Sequence, residues 1–269
     1  MFTVLAVLAG LGLAAGGAYA AKGGKLGDWS LDALSGKGDA AAVPPTGSPT
    51  PVRVGTPRQA TAGPSTVAEP TVTYAQRGTG TWRTAKEQGA VAGRSGQLLR
   101  YRVAVEGGIG NIDLERFAGQ VAAILADPRG WTGGGRWRLQ RVGPRVAADF
   151  TVQLATPVTR SRLCGDTTDL YTSCRVGDQV VLNVARWVRG VPQFGGDLTT
   201  YRQYLVTHEV GHRLGHGHEL CPKAGGPAPV MQQQTLGLHG CLPNAWPRPK
   251  DADFAGPPGA YDDPIPTDG

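Results

Sequence analysis

Residues that build cores and sites are scarce in this sequence. Aromatics make up 7% of its 269 residues and apolar side chains 40%, below the usual globular share, so the core must be concentrated in part of the chain. The 41 Gly and 21 Pro stay just under the level of low-complexity chains, which argues against disorder throughout. Histidine numbers five, cysteine four and methionine two. The net charge of +6 comes without a basic run interleaved with aromatics, so nucleic acid is not expected as a partner. No internal repeat is present.

Charge is absent altogether from residues 1–21. Phe2-Thr3-Val4-Leu5-Ala6-Val7-Leu8 leads through Leu11 and Leu13 to Ala18-Tyr19-Ala20, a small-x-small pattern suited to signal peptidase. The segment is read as a signal peptide or, if retained, a membrane anchor that tethers the chain. A secreted or cell-envelope-anchored, extracytoplasmic protein is expected. Residues 22–71 form a Pro/Gly/Ala-rich spacer in which Trp29 is the one aromatic, too poor in apolar area to offset the entropy of ordering. It has no cysteine, which excludes latency through a cysteine held on a metal. Residues 247–269, rich in Pro and Asp, read as a flexible, frayed tail.

Residues 72–246 carry the periodic patterns of a folded domain. Leu98 to Glu106 alternates apolar and polar residues and stops at Gly107-Gly108, which predicts a strand. Leu114, Phe117, Ala118, Val121, Ile124 and Leu125 recur at helical spacing, with Asn111 or Asp113 as cap and a stop at Asp127-Pro128. Trp137 to Val142, Phe150 to Leu154 and the apolar run Val180 to Trp187 read as further strands. A helix capped by Asp197 runs from Leu198 to about Leu214. This order predicts an α+β fold, an α/β sandwich with a mixed sheet. Four cysteines in an exported chain imply two disulfides with three pairings open. The sequence-local pairing, Cys164 with Cys174 and Cys221 with Cys241, is favoured over ligation of a metal by thiolates.

Four of the few histidines crowd into His208-Glu209-Val210-Gly211-His212-Arg213-Leu214-Gly215-His216-Gly217-His218. Imidazoles at i and i+4 share one helix face and can reach one Zn²⁺. Glu209 lies beside them, where a carboxylate can take a proton from water. Gly215 can turn left-handed and end the helix, so that His218 returns as a third ligand. Three neutral nitrogens leave a fourth position open, the mark of a catalytic rather than a closed structural site. The five fixed residues of this pattern would arise by chance with a probability on the order of 10⁻⁵. His216 reads as a surface or supporting residue, and His239 as a loop residue.

These residues resemble those of the metzincin zinc peptidases, and Pro227-Ala228-Pro229-Val230-Met231 resembles the clan's Met-turn. The set His208 to His218, Cys221-Pro222, Val230 to Thr235 and Cys241 is similar to a family of secreted or envelope-anchored actinobacterial, metzincin-like domains of undetermined activity. Glu219 after the third histidine is as in astacins, whereas His212 to Gly215 looks more like matrixins. The resemblance implies a zinc endopeptidase with one Zn²⁺ on His208, His212 and His218, Glu209 as general base, and Met231 beneath the ligands. It also implies a peptide or protein substrate aligned as an added strand along Val180 to Trp187. Arg186 and Arg189 near that strand's end read as solvated charge. A monomer is expected. The alternative is a catalytically silent zinc-binding envelope module that binds a protein partner.

Overall fold

The computed structural model describes residues 71–267; the expected export segment and nearly all of the spacer lie outside them. In chain order come β1 (Thr73–Tyr74), β2 (Trp82–Thr84), β3 (Val91–Ala92), β4 (Gln97–Glu106), β5 (Ile109–Gly110) and α1 (Leu114–Ala126). Then follow β6 (Trp137–Arg141), β7 (Phe150–Ala155), α2 (Pro157–Cys164), β8 (Cys174–Val176), β9 (Gln179–Asn183), α3 (Val184–Arg189) and α4 (Leu198–Arg213). The fold is a mixed α+β arrangement.

The main sheet runs β3-β6-β4-β7-β9-β8. β6, β4, β7 and β9 are parallel neighbours, and β3 and β8 close the two sides antiparallel. β4 is long enough to take β6 along Gln97–Tyr101 and β2 along Ala104–Glu106 on the same edge. Helices make the crossovers that parallel strands require: α1 between β4 and β6, α2 between β7 and β9.

α1 starts where Asp113 accepts from the Arg116 N–H at 3.0 Å, and Pro128 follows its end. Its buried face, Phe117, Ala118, Val121, Ala122, Ile124 and Leu125, packs against the sheet and α4, with Phe117 edge-on to Trp187 at 4.9 Å. Tyr201 and Tyr204 of α4 are buried beside Phe194. Burying side chains of this size contributes about 1.5–3 kcal/mol each.

Three expectations are corrected. The strand expected over Val180–Trp187 ends at Asn183, whose side chain accepts from the Ala185 N–H at 3.0 Å and starts α3. A buried strand and a buried helix give the same unbroken apolar run, and Asn183 alone marks the switch. That strand is also no edge: β9 lies between β7 and β8, and β8 is the outer strand. The tail expected to fray is docked. Leu220 N–H donates to Pro257 O at 2.8 Å, Gly259 N–H to His218 O at 3.0 Å, and Arg248 N–H to Arg129 O at 3.1 Å. Gly256 permits the approach, since a Cβ there would stand 2.1 Å from Leu220 O.

Both disulfides pair as favoured, Cys164 with Cys174 and Cys221 with Cys241. The first ties α2 to β8 across the loop between them.

Candidate metal centre

α4 begins at Asp197, whose carboxylate accepts from the Thr200 N–H and hydroxyl at 3.0 and 2.6 Å. Tyr201, Tyr204, Leu205 and His208 recur at i, i+3, i+4 and i+7 on its buried stripe, which carries His208 and then His212 toward the interior. The helix stops in a Schellman turn. Gly215 N–H donates to His212 O at 3.2 Å, His216 N–H donates to Gly211 O at 3.0 Å, and Gly215 takes φ +95°. The chain reverses there and brings back His218.

The Nε2 atoms of the three histidines converge. His212 Nε2 lies 3.2 Å from that of His208 and 3.1 Å from that of His218. His208 Nδ1 lies 2.8 Å from Val230 O, and His212 Nδ1 lies 2.8 Å from His216 O. Carbonyl oxygens only accept, so both Nδ1 atoms carry the proton and both Nε2 atoms are lone pairs. His218 can donate to one of them, but the His208–His212 pair has no proton to share unless an imidazole is charged. Burial opposes that charge. It holds the pKa of His208 well below the usual histidine value, with His212 adding to the shift. It lowers that of His212 and brings that of His218 down to about 4. Two lone pairs 3.2 Å apart repel, and a cation between them turns the repulsion into ligation. His208, His212 and His218 could hold a metal ion.

Beneath the ligands, Val230 O receives His208 and Met231 O receives the Glu219 N–H at 3.1 Å. Met231 is buried against α4 at Gly211, where a Cβ would stand 2.4 Å from its Sδ and 2.7 Å from Trp131 Cζ2. Tyr204 fixes the turn from the other side: its hydroxyl donates to Gln232 O and accepts from the Gln234 N–H, each at 2.9 Å.

Glu209 is buried, and its Oε2 has no hydrogen-bond partner. Burial pushes its carboxyl up to about 8; the Arg160 charge opposes the shift and the Asp169 charge adds to it. The ligands and Glu209 open on a cleft of about 670 Å³, which Cys174 and Arg175 of β8, Tyr204 and Ile265 also line.

His216 does not join the cluster. Its ring stacks on Trp131 at 4.3 Å, and its carbonyl supports His212. His239 pairs with Asp263 at 2.8 Å and stacks on Tyr261. Arg186, expected in solvent, is buried over the Tyr171 ring at 3.6 Å. The histidine motif does not point to Gly211, Trp131, β8 or the buried Arg160–Asp169 pair, all of which lie about the site. Only Gly211 has a signal in sequence: a glycine inside a helical pattern asks what packs against it.

Residues 68–248 match the family described as "protein of unknown function (DUF3152)". The chain belongs to the DUF3152 family. No curated protein and no solved structure matches it. The match spans the sheet, both disulfides and all three candidate ligands of this DUF3152 domain. Its two disulfides suggest an extracytoplasmic location. Among the described residues, no helix is long and apolar enough to cross a membrane.

Proposed function

We propose that this DUF3152 domain is an exported, metzincin-like zinc endopeptidase. The observation that carries the reading is the convergence of three Nε2 atoms, two with their Nδ1 protons committed to carbonyls. Their separations of 3.1 and 3.2 Å are close to the edge of about 3.3 Å expected for nitrogens around tetrahedral Zn²⁺. A helix with ligands at i and i+4, a glycine turn, a third histidine and a methionine beneath them support the metzincin likeness. Export is supported by the uncharged leader and the disulfides.

Zinc, when bound, supplies a Lewis acid that acidifies water and polarises a carbonyl. His208, His212 and His218 would hold it, and the Val230 and His216 carbonyls keep two of those rings in the ligating tautomer. Glu209 takes the proton of the attacking water and returns it to the leaving amine. A buried carboxyl group with one oxygen unpartnered costs stability, and metal binding alone does not need it, which favours the enzyme over a silent zinc module. The edge role expected of Val180 to Trp187 passes to β8, which among the described residues pairs only with β9 and lines the cleft. An extended peptide or protein segment adds there as a strand, held by main-chain hydrogen bonds.

The test is peptide-library cleavage by the zinc-loaded chain and by Glu209→Gln. The variant should keep its metal and lose at least about 100-fold in rate. Equal rates with one zinc bound would exclude Glu209 as the base.

A further inference from the structure

The chain beyond the family match, which ends at residue 248, runs along the ligand loop and then into the lining of the cleft. Gly256 N–H donates to Glu219 Oε2 at 3.0 Å, Pro258 bridges Glu219 antiparallel, and Gly259 N–H donates to His218 O. The Tyr261 hydroxyl accepts from the Cys221 N–H at 3.2 Å, and its ring stacks on His239 with centroids 3.4 Å apart. Asp263 then pairs with His239. Gly237 leaves the room for this anchor, because a Cβ there would stand 2.7 Å from His239 Nε2 and 3.1 Å from Asp263 Oδ2. Past Asp263, Ile265 enters the wall of the ligand cleft. With Pro266 and Thr267 the partly exposed Ile265 also lines a second, open cavity of about 370 Å³ shared with Thr168 and Leu170. Those two belong to the loop between α2 and β8, which also lines the ligand cleft through Asp166, Asp169, Thr172 and Ser173.

We propose that residues 256–267 are a strap that ends the cleft, so that the site takes short peptides or chain termini in preference to polypeptides running through it. The inference rests on the peptidase reading and adds its substrate class. Three observations carry it. The segment is fastened at His239 and reaches the loop of Thr168 and Leu170, so it joins its anchor to a second segment that lines the cleft. With Ile265 in its wall the cleft still measures about 670 Å³ and still reaches the three histidines and Glu209, a volume that suits a compact ligand. The strap is therefore an end wall and not a plug. Finally, Ile265 lies between Pro264 and Pro266. Pro266 has no N–H to offer the β8 edge, so the strap cannot align as a substrate strand and is spared by the site it closes.

The test uses the zinc-loaded full chain, His239→Ala, which frees Asp263, and Ile265→Gly, which removes the wall while leaving the anchor. Each is titrated by calorimetry with a phosphinic pseudo-dipeptide and with a decapeptide carrying the same phosphinic unit at its centre. The unaltered chain should bind the short probe at least tenfold more tightly than the long one, and both variants should lose that preference. The same preference in all three forms, or none in the unaltered chain, overturns the strap while leaving the peptidase reading intact. Failure of both probes to bind any zinc-loaded form overturns the peptidase reading, and the strap's role with it.

Discussion

The floor and the upper wall of the cleft are built by opposite means. The floor, from His208 to Thr235, is held by local main-chain geometry: a Schellman turn at Gly215, carbonyls that fix two imidazoles, and a methionine seated on a glycine. The upper wall, the loop from Gly165 into β8, is held by side chains distant from any repeating pattern. Arg160 pairs with Asp169 at 2.8 Å and donates to Thr172 Oγ1 and Ser173 O at 2.6 and 3.2 Å, with both charges buried. Asn183 donates to Leu170 O and Tyr171 O, and the Cys164–Cys174 disulfide closes the loop. In the proposed function the floor would carry the chemistry and the wall would present the edge along which substrate aligns. The floor should therefore tolerate loss of charge and resist changes of volume, and the wall the reverse.

The sharpest way to break the contrast is Asp169→Ala. It strands the Arg160 charge in the interior and should cost about 3–5 kcal/mol in urea unfolding. Replacing both partners, Arg160→Met with Asp169→Leu, should recover most of that loss; an equal loss in single and double variants would remove the pair from the account. Next, Cys164→Ala with Cys174→Ala should cost about 2–4 kcal/mol in thermal unfolding. On the floor, Gly211→Ala drives a methyl into Met231 and Trp131 and should cost about 1–3 kcal/mol. Shortening Met231 to Ala in the same chain should reduce that penalty, because the two sites share one contact. The smallest effect belongs to Gly215→Ala. No atom lies within 4 Å of an added Cβ there, so only the left-handed backbone resists, at about 1 kcal/mol.

The same contrast explains what was legible in the sequence. α4, its cap at Asp197, the ligand set and the turn at Gly215 follow from spacing within about twenty residues, and α1 follows from its apolar stripe and Asp113. The floor is therefore readable from the sequence. α2 was not, because its buried face includes Thr159, Arg160 and Ser161, polar residues whose partners lie on β4 at Glu106 for Thr159 and in the following loop for the other two. The boundary of β9 and α3 hid inside a continuous apolar run. The tail misled by composition: prolines and glycines that deny a core to an isolated segment are the residues that let residues 256–263 lie close against the ligand loop.

The central claim is that His208, His212 and His218 converge because they share one ion. Metal analysis of the purified chain equilibrated with zinc at neutral pH, beside His212→Ala, tests it most directly. The account predicts one zinc per chain and none in the variant. A folded, unaltered chain that takes up no metal, or a His212→Ala variant that keeps a full equivalent, would contradict it.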